Sequence, residues 1–583
     1  MTYHCGVVPS APWTPPAALA GSPLLLAAAG ALPVVALLWA LAVRRLPGHV
    51  AGPAGLLASL VVAVAAFGMP APLALLSAVH GALVGVFPVG WIVLTAVLVL
   101  DLVTRSGQAE TVRLSVAGLT QDRRLQAILV AFSFGAFLEG AAGFGTPVAI
   151  SAAMLGALGF PPLLAAGVGL VANTVPVAFA AAGLPITVAA QVSGLDELVL
   201  SRAVGRQLPL LSLLVPAVLV VLVAGRRGLS GAWPAVLASG GAFALVQLWA
   251  SHALGPGPTA VLPALASLAA LLAVVRLGKG AEPWRFASDP PPLRPEPLSR
   301  RRLLHGWAPF GVLVLLVAAW GTPAARALLD RATPRVGVPG LDRAVADAAG
   351  NPVAAVYAPG ILSSAGTALL LSALLAALSS RTSPREALAT AAGTLRKLAP
   401  ALGAIASLLA FAHVMNASGM AVAVGRLLSS AGPLFPAVSP ALGWLGVVVT
   451  GSDTSANAVF GKLQAATAEA VGTNPVLAVA ANASGGVTGK MLSPSSIAVA
   501  CAAAGLRGRE AALFRFAFVP SLAFLGLVAA ISLAQATVLA GTVPQAAAGA
   551  AGAAPPPALP GALLLAAALL LALALALAAQ RRA

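Results

Sequence analysis

Charge is scarce in this chain. Only 8% of its 583 residues are Asp, Glu, Lys or Arg, against about 25% in an ordinary soluble protein. So few charges cannot cover a water-exposed surface, and the mean hydropathy of +0.97 agrees. Cysteine is nearly absent: Cys5 lies near the N-terminus and Cys501 in an apolar segment. That excludes a disulfide framework and a thiolate metal cluster. The six histidines form no cluster with acids at ligand or triad spacing. No metal, no catalytic residue and no cofactor beyond a proton is therefore expected, which disfavours an intramembrane enzyme acting on lipid. The alternating pattern of a membrane β-barrel is also missing, because the apolar runs are continuous.

What is present is a succession of Ala-, Leu-, Val- and Gly-rich segments. They predict an all-α polytopic membrane protein with roughly 12–15 transmembrane helices packed on small residues. The lipid bilayer is its first partner. A net charge of +17 would point to nucleic acid in a soluble chain. Here arginines gathered in cytoplasmic loops account for it, and no nucleic acid is expected. Met1–Ser22 is neither basic nor followed by a clear cleavage site, so the first apolar run reads as a retained span.

Basic clusters set the expected topology. Arg44-Arg45, the Arg105–Arg124 loop, Arg226-Arg227, Arg276–Arg302, Arg381–Lys397, Arg507–Arg515 and Arg581-Arg582 fall on the cytoplasmic side. The N-terminus then lies outside and the C-terminus inside. The loop carrying Asp196, Glu197, Arg202 and Arg206 falls outside, as does Thr322–Pro359. Residues 276–307, basic and Pro-rich, read as a cytoplasmic linker between an N-terminal half (1–275) and a C-terminal half (308–583). A last span is expected at Gly561–Ala579, after an Ala/Gly/Pro loop.

Each half holds one hydrophobic module interrupted by polar residues, glycine and proline: residues 125–190 and 433–505. A carboxylate in hydrocarbon costs roughly 2.5–3.5 kcal/mol on insertion scales, and glycine and proline weaken a helix. Phe137-Leu-Glu-Gly-Ala-Ala-Gly-Phe-Gly-Thr-Pro-Val-Ala-Ile150 combines all three. Such a segment predicts a broken or re-entrant helix around a polar site. By the charge reckoning the two modules run in opposite directions, the mark of two inverted-topology halves. The step from Glu139 to Pro161 equals that from Asp453 to Pro475. The step from Asn173 to Pro185 equals that from Asn482 to Pro494.

Of the sixteen carboxylates, Glu139 and Asp453 are the ones set among the glycines and hydroxyls that interrupt these modules. Desolvation disfavours the charged form of a carboxyl, so both are candidates for proton coupling, Glu139 first. For Asp453, in Gly451-Ser-Asp-Thr-Ser455, helix N-capping competes. Half-helix N-termini offer free N–H groups and a positive dipole end, which suits a small carboxylate. The candidate substrate-binding residues are Gly143, Gly145, Thr146, Asn173, Thr174, Arg206, Ser452, Thr454, Ser455, Asn457, Asn482, Ser484 and Lys490. For Lys490, snorkelling to the interface competes. For Arg206, an interfacial anchor does. Gly485-Gly-Val-Thr-Gly-Lys490 misses the phosphate-loop spacing. His413, near the end of an apolar span, reads better as a satisfied histidine than as a relay.

At these residues the sequence resembles the bacterial L-lactate permease family. The strings are Phe134-Gly-Ala-Phe-Leu-Glu-Gly-Ala-Ala-Gly-Phe-Gly145, Gly205-Arg-Gln-Leu-Pro209, Leu445-Gly-Val447, Thr450-Gly-Ser-Asp-Thr-Ser455, Gly485-Gly-Val-Thr-Gly-Lys-Met491 and Ser496-Ile-Ala-Val-Ala-Cys501. The resemblance covers the chain from the first span to about Gln535. It implies a proton-coupled symporter of lactate, and often glycolate, in the bacterial inner membrane, with motif positions at Glu139, Arg206, Asp453, Asn457, Asn482 and Lys490. Lys462 and His413 depart from the family pattern, which leaves the preferred 2-hydroxy acid open. The alternatives are a gluconate-like or dicarboxylate substrate, sodium coupling through Asp453, or a passive anion channel.

Overall fold

The computed structural model describes residues 12–141, 143, 145–277, 283–287, 289, 299–347, 350–506 and 508–545. It is 78% helical. Its one sheet among the described residues is a two-stranded ribbon, Val336–Gly337 against Val356–Tyr357. Nine described helices are long and apolar enough to cross a membrane, or eleven if two bent pairs count as one span each. The chain is thus an all-α multi-pass membrane protein. Two further apolar segments fold as shorter helices, Val261–Leu277 and Ala365–Ser379. The polar stretch expected as a loop after Asp196 is a helix. Asp196 caps it by accepting from the Val199 N–H at 2.9 Å. The last predicted span, most of the Pro-rich linker and Cys5 lie outside the described residues.

The elements that position the site are few. At the N-terminal end they are α1 (Pro23–Ala42) and α2 (Gly48–Ala65). The first polar module comprises α3 (Arg123–Ala141, with a π-helical turn at Ile128–Phe134), α4 (Thr146–Ala157), α5 (Pro162–Ala172) and α6 (Ala180–Ser193). After it come α7 (Glu197–Gln207) and the long α8 (Pro384–Ala417). The second module comprises α9 (Phe435–Thr450), α10 (Asp453–Ala470), α11 (Pro475–Gly489) and α12 (Pro494–Ala503).

Both modules follow one pattern: a helical hairpin, then a broken helix. α4 is 12 residues long, roughly 18 Å at 1.5 Å per residue, too short for about 30 Å of hydrocarbon. It returns along α3. Ser151 Oγ donates to the Val130 carbonyl at 3.3 Å, and Gly159, just past α4, lies against the Arg123 guanidinium at the start of α3. The hairpin tip carries Gly143 and Gly145, both left-handed at φ 65° and 77°, a backbone that side chains other than glycine adopt at a cost. α9 and α10 form the second hairpin. Gly446 lies against Ala456 and Phe460, while Ser439 accepts from Gln464 at 3.1 Å. That pairing is antiparallel, with its tip at Gly451-Ser452. The broken helix α5–α6 bends by 61°.

Close approach holds the second module together. Along α9 and α11, Ser439 Oγ donates to the Ala478 carbonyl at 2.9 Å, and Gly443 rests directly on the Asn482 backbone. A methyl group there meets main chain that cannot yield. Gly443→Ala is therefore expected to cost at least the ~1–3 kcal/mol of an overpacked core. A lowered unfolding temperature in detergent, read by tryptophan fluorescence, checks this.

The linker does not behave as a free spacer where it is described. Asp289 pairs with Arg123 through two contacts of 2.7 and 2.8 Å, with side-chain exposures of 4% and 8%. The Trp284 carbonyl accepts from the Arg123 N–H at 2.9 Å, and the Trp284 N–H donates to Asp122 at 3.1 Å. Phe286 meets Phe160 edge to face, and the Arg123 guanidinium lies over both rings. The linker thus straps the base of the first hairpin. The hydrogen bonds from Arg123 hold the Asp289 carboxyl below the usual carboxylate range. A depressed folded value means that the stabilisation is full above an unfolded value of about 3.9 and is lost as pH falls through the folded one. Pepsin cutting at Trp284–Phe286 should accelerate steeply only below about pH 4. Asp289→Asn should open the same site to chymotrypsin at neutral pH.

Candidate functional site

The two hairpin tips and the breaks in the two following helices meet around one cavity of about 350 Å³. That is the small end of the roughly 300–1,000 Å³ range of ligand pockets. Its wall includes both carboxyl groups singled out in the sequence, Glu139 and Asp453, together with Lys490. Gly143, Gly145, Ser452 and Thr454 line it as well, as do Thr450, Gly451, Ser495 and Ser496. Segments more than three hundred residues apart therefore build one polar chamber inside an apolar protein.

Helix ends supply much of its polarity. α4 starts at Thr146 beside Gly145, α10 starts after Ser452, and α12 starts after Ser493. The first turns of α10 and α12 line the chamber through Asp453, Thr454, Ser495 and Ser496, and α4 meets it at its cap, Gly145. Unsatisfied N–H groups and the positive dipole end make this a place for a small anion.

The capping of α10 corrects one expectation. Ser452, not Asp453, is the N-cap, its side chain accepting from the Ser455 N–H at 3.3 Å. Asp453 stands one position later, 2% exposed. Its Oδ2 accepts a long 3.5 Å hydrogen bond from Asn457, and Oδ1 has no partner among the described residues. Glu139, also 2% exposed, accepts from Asn173 Nδ2 at 2.9 Å. Asn173 itself sits at the end of α5, where the break between α5 and α6 begins. Lys490 does not snorkel away. Its Nζ donates to the Gly451 carbonyl at 2.7 Å and so ties the α11 end to the second hairpin tip. An ammonium has three donors, and it faces the chamber.

Behind the wall runs a chain of buried amides. Gln464 donates to Asn482 at 3.1 Å, Asn482 donates to Asn457 at 2.8 Å, and Asn457 donates to the Pro185 carbonyl at 3.1 Å. This last bond joins the second module to α6 of the first. Gly461, one turn on, lies against Val192, so α6 and α10 run side by side in the same direction. α6 begins in strained backbone, with Ala181 and Ala182 at φ 44° and 55°. Left-handed backbone costs a non-glycine residue about 1–2 kcal/mol, and such outliers gather where a site is held in shape.

Not every candidate reaches the chamber. Asn457 and Asn482 stand one layer behind it, as do the buried Thr174 and Ser484, whose hydroxyls have no partner among the described residues. Ser455 lines a neighbouring cavity. Arg206 is elsewhere: on α7 it donates to His252 Nε2 at 3.0 Å and to the Thr542 carbonyl. His413 bonds the Leu409 carbonyl at 2.9 Å and packs edge to face on His80, outside the chamber wall. Gln464, Leu184 and Ala401 went unnoticed in the sequence. A lone glutamine in a helix, or an apolar residue in an apolar run, carries no signal there.

The L-lactate permease family model matches residues 26–539. The chain belongs to the L-lactate permease family. It is 44% identical to the L-lactate permease of Bacillus subtilis over 91% of this chain and 100% of that one. It is 43% identical to the glycolate permease GlcA of Escherichia coli, covering 88% and 95%. The L-lactate permease of Salmonella typhimurium is 41% identical, covering 90% and 98%. Membership makes this permease a multi-pass membrane transporter and not an enzyme.

Proposed function

We propose that this protein is a proton symporter of L-lactate and related 2-hydroxymonocarboxylates, D-lactate and glycolate included, in the bacterial inner membrane. The names of its relatives support the substrate class. The observation that carries the mechanism is the shared chamber, where one buried carboxyl from each module faces one lysine. The substrate carboxylate takes the N-terminal turns of α10 and α12, the Ser and Thr hydroxyls and a donor of Lys490. Glu139 carries the proton. A carboxyl left ionised in a dry site bears a heavy desolvation cost, and protonation removes it. The loaded carrier then holds an anion and a proton together and crosses the apolar barrier without net added charge. Asp453 is the second proton-coupling carboxyl and stands beside the anion.

The architecture fits alternating access through inverted halves. α6 and α10 leave the chamber in the same direction, one ending a broken helix and the other closing a hairpin. The two hairpins therefore enter from opposite faces, the first from that of Arg123 and Arg124, cytoplasmic by the positive-inside rule. The same rule places the N-terminus outside and the C-terminus inside. Uptake of labelled L-lactate, D-lactate and glycolate into proteoliposomes under an imposed pH gradient tests the reading. Accumulation that ignores the pH gradient and follows sodium instead would overturn proton coupling.

A further inference from the structure

A second cavity of about 240 Å³ adjoins the first. The two share Leu184, Ala401, Thr450, Ser452 and Thr454 in their walls. From this neck the second cavity runs between α1, α2 and α8, past Leu41, Ala404 and Gly52, to His49. His49 is exposed and stands in the first turn of α2, directly after the α1–α2 loop that carries the exposed Arg44 and Arg45. One end is thus a surface mouth beside cations, and the other is the hydroxyl-lined tip of the second hairpin.

We propose that this second cavity is the passage through which the substrate anion moves between the chamber and the Arg44-Arg45 face, and that the structure has this passage open. The proposal rests on the transporter reading above for what travels through it. Three features fit a passage better than a storage pocket. It meets the chamber through shared wall residues. Its walls are mostly apolar, with hydroxyls only at the neck and at Ser455 beside it, so nothing further along holds an anion tightly. His49 lies at its mouth, and the exposed Arg44 and Arg45 stand in the loop just before it. Positive charge at a mouth concentrates small anions there. The neck, walled by Leu184 and Ala401, is where bulk decides what passes.

Ala404 faces the passage but not the chamber, so it tests the path without touching the binding groups. In a background with Cys5 and Cys501 replaced by serine, Ala404→Cys and Arg45→Cys are each exposed to a membrane-impermeant thiol reagent. Right-side-out and inside-out vesicles are compared. Ala404→Cys should react from the same face as Arg45→Cys and at least tenfold more slowly from the other, and L-lactate should slow the reaction. Ala404→Trp should cut transport at least tenfold in protein that still elutes as a single folded species, while Ala404→Ser keeps it. Reaction from the opposite face, no reaction from either, or normal transport by Ala404→Trp overturns the passage. Face-specific labelling in a parent that takes up no lactate refutes the substrate and supports the passage, because labelling does not depend on what is carried.

Discussion

Glu139→Gln should abolish pH-driven accumulation while leaving exchange of labelled for unlabelled lactate measurable. The amide keeps the size of the side chain and its bond to Asn173, but it cannot release a proton. For one proton per anion, each pH unit of gradient is worth 1.36 kcal/mol, or about tenfold accumulation. Wild-type proteoliposomes under a two-unit gradient should approach a hundredfold, and the variant should stop near equality. Exchange needs no net proton movement, so it separates loss of coupling from loss of binding. A variant that still accumulates lactate would move the coupling site to Asp453.

Lys490→Gln should raise the half-saturating lactate concentration about ten- to a hundredfold. Hydrogen bonds to charged groups contribute roughly 1.5–3 kcal/mol net, and the substituted amide offers an anion no charge. The lysine also ties the α11 end to Gly451, so the loss of the tether should slow transport at saturation too. Lys490→Arg keeps the charge and separates the two effects. Concentration-dependent uptake for the three proteins checks this. A half-saturation unchanged in Lys490→Gln would remove the lysine from the anion site and leave the helix N-termini as its only positive groups.

The membrane class was legible because hydropathy is local: each segment declares its partition between water and lipid residue by residue. The broken modules were legible for the same reason, since glycine, proline and a carboxylate in Phe137–Ile150 each disfavour a continuous apolar helix wherever the segment sits. A helix start near Asp453 followed from short-range chemistry, although the cap is Ser452, one residue earlier. The count of spans was less legible. A re-entrant arm such as α4 and a true span are equally apolar, and only the path of the chain tells them apart.

The two carboxyls, the lysine and their glycine-rich breaks were determined by the sequence itself, because an ionisable group inside a long apolar run is out of place in any fold. Their convergence was decided by tertiary structure alone. Asn173 reaches Glu139, Lys490 reaches the Gly451 carbonyl, and Asn457 reaches the Pro185 carbonyl only because close packing of small residues brings two distant modules together. Packing also set Arg206 apart from the chamber and placed Leu184 and Ala401 at its neck. Such contacts depend on backbone positions hundreds of residues apart, and no local pattern encodes them.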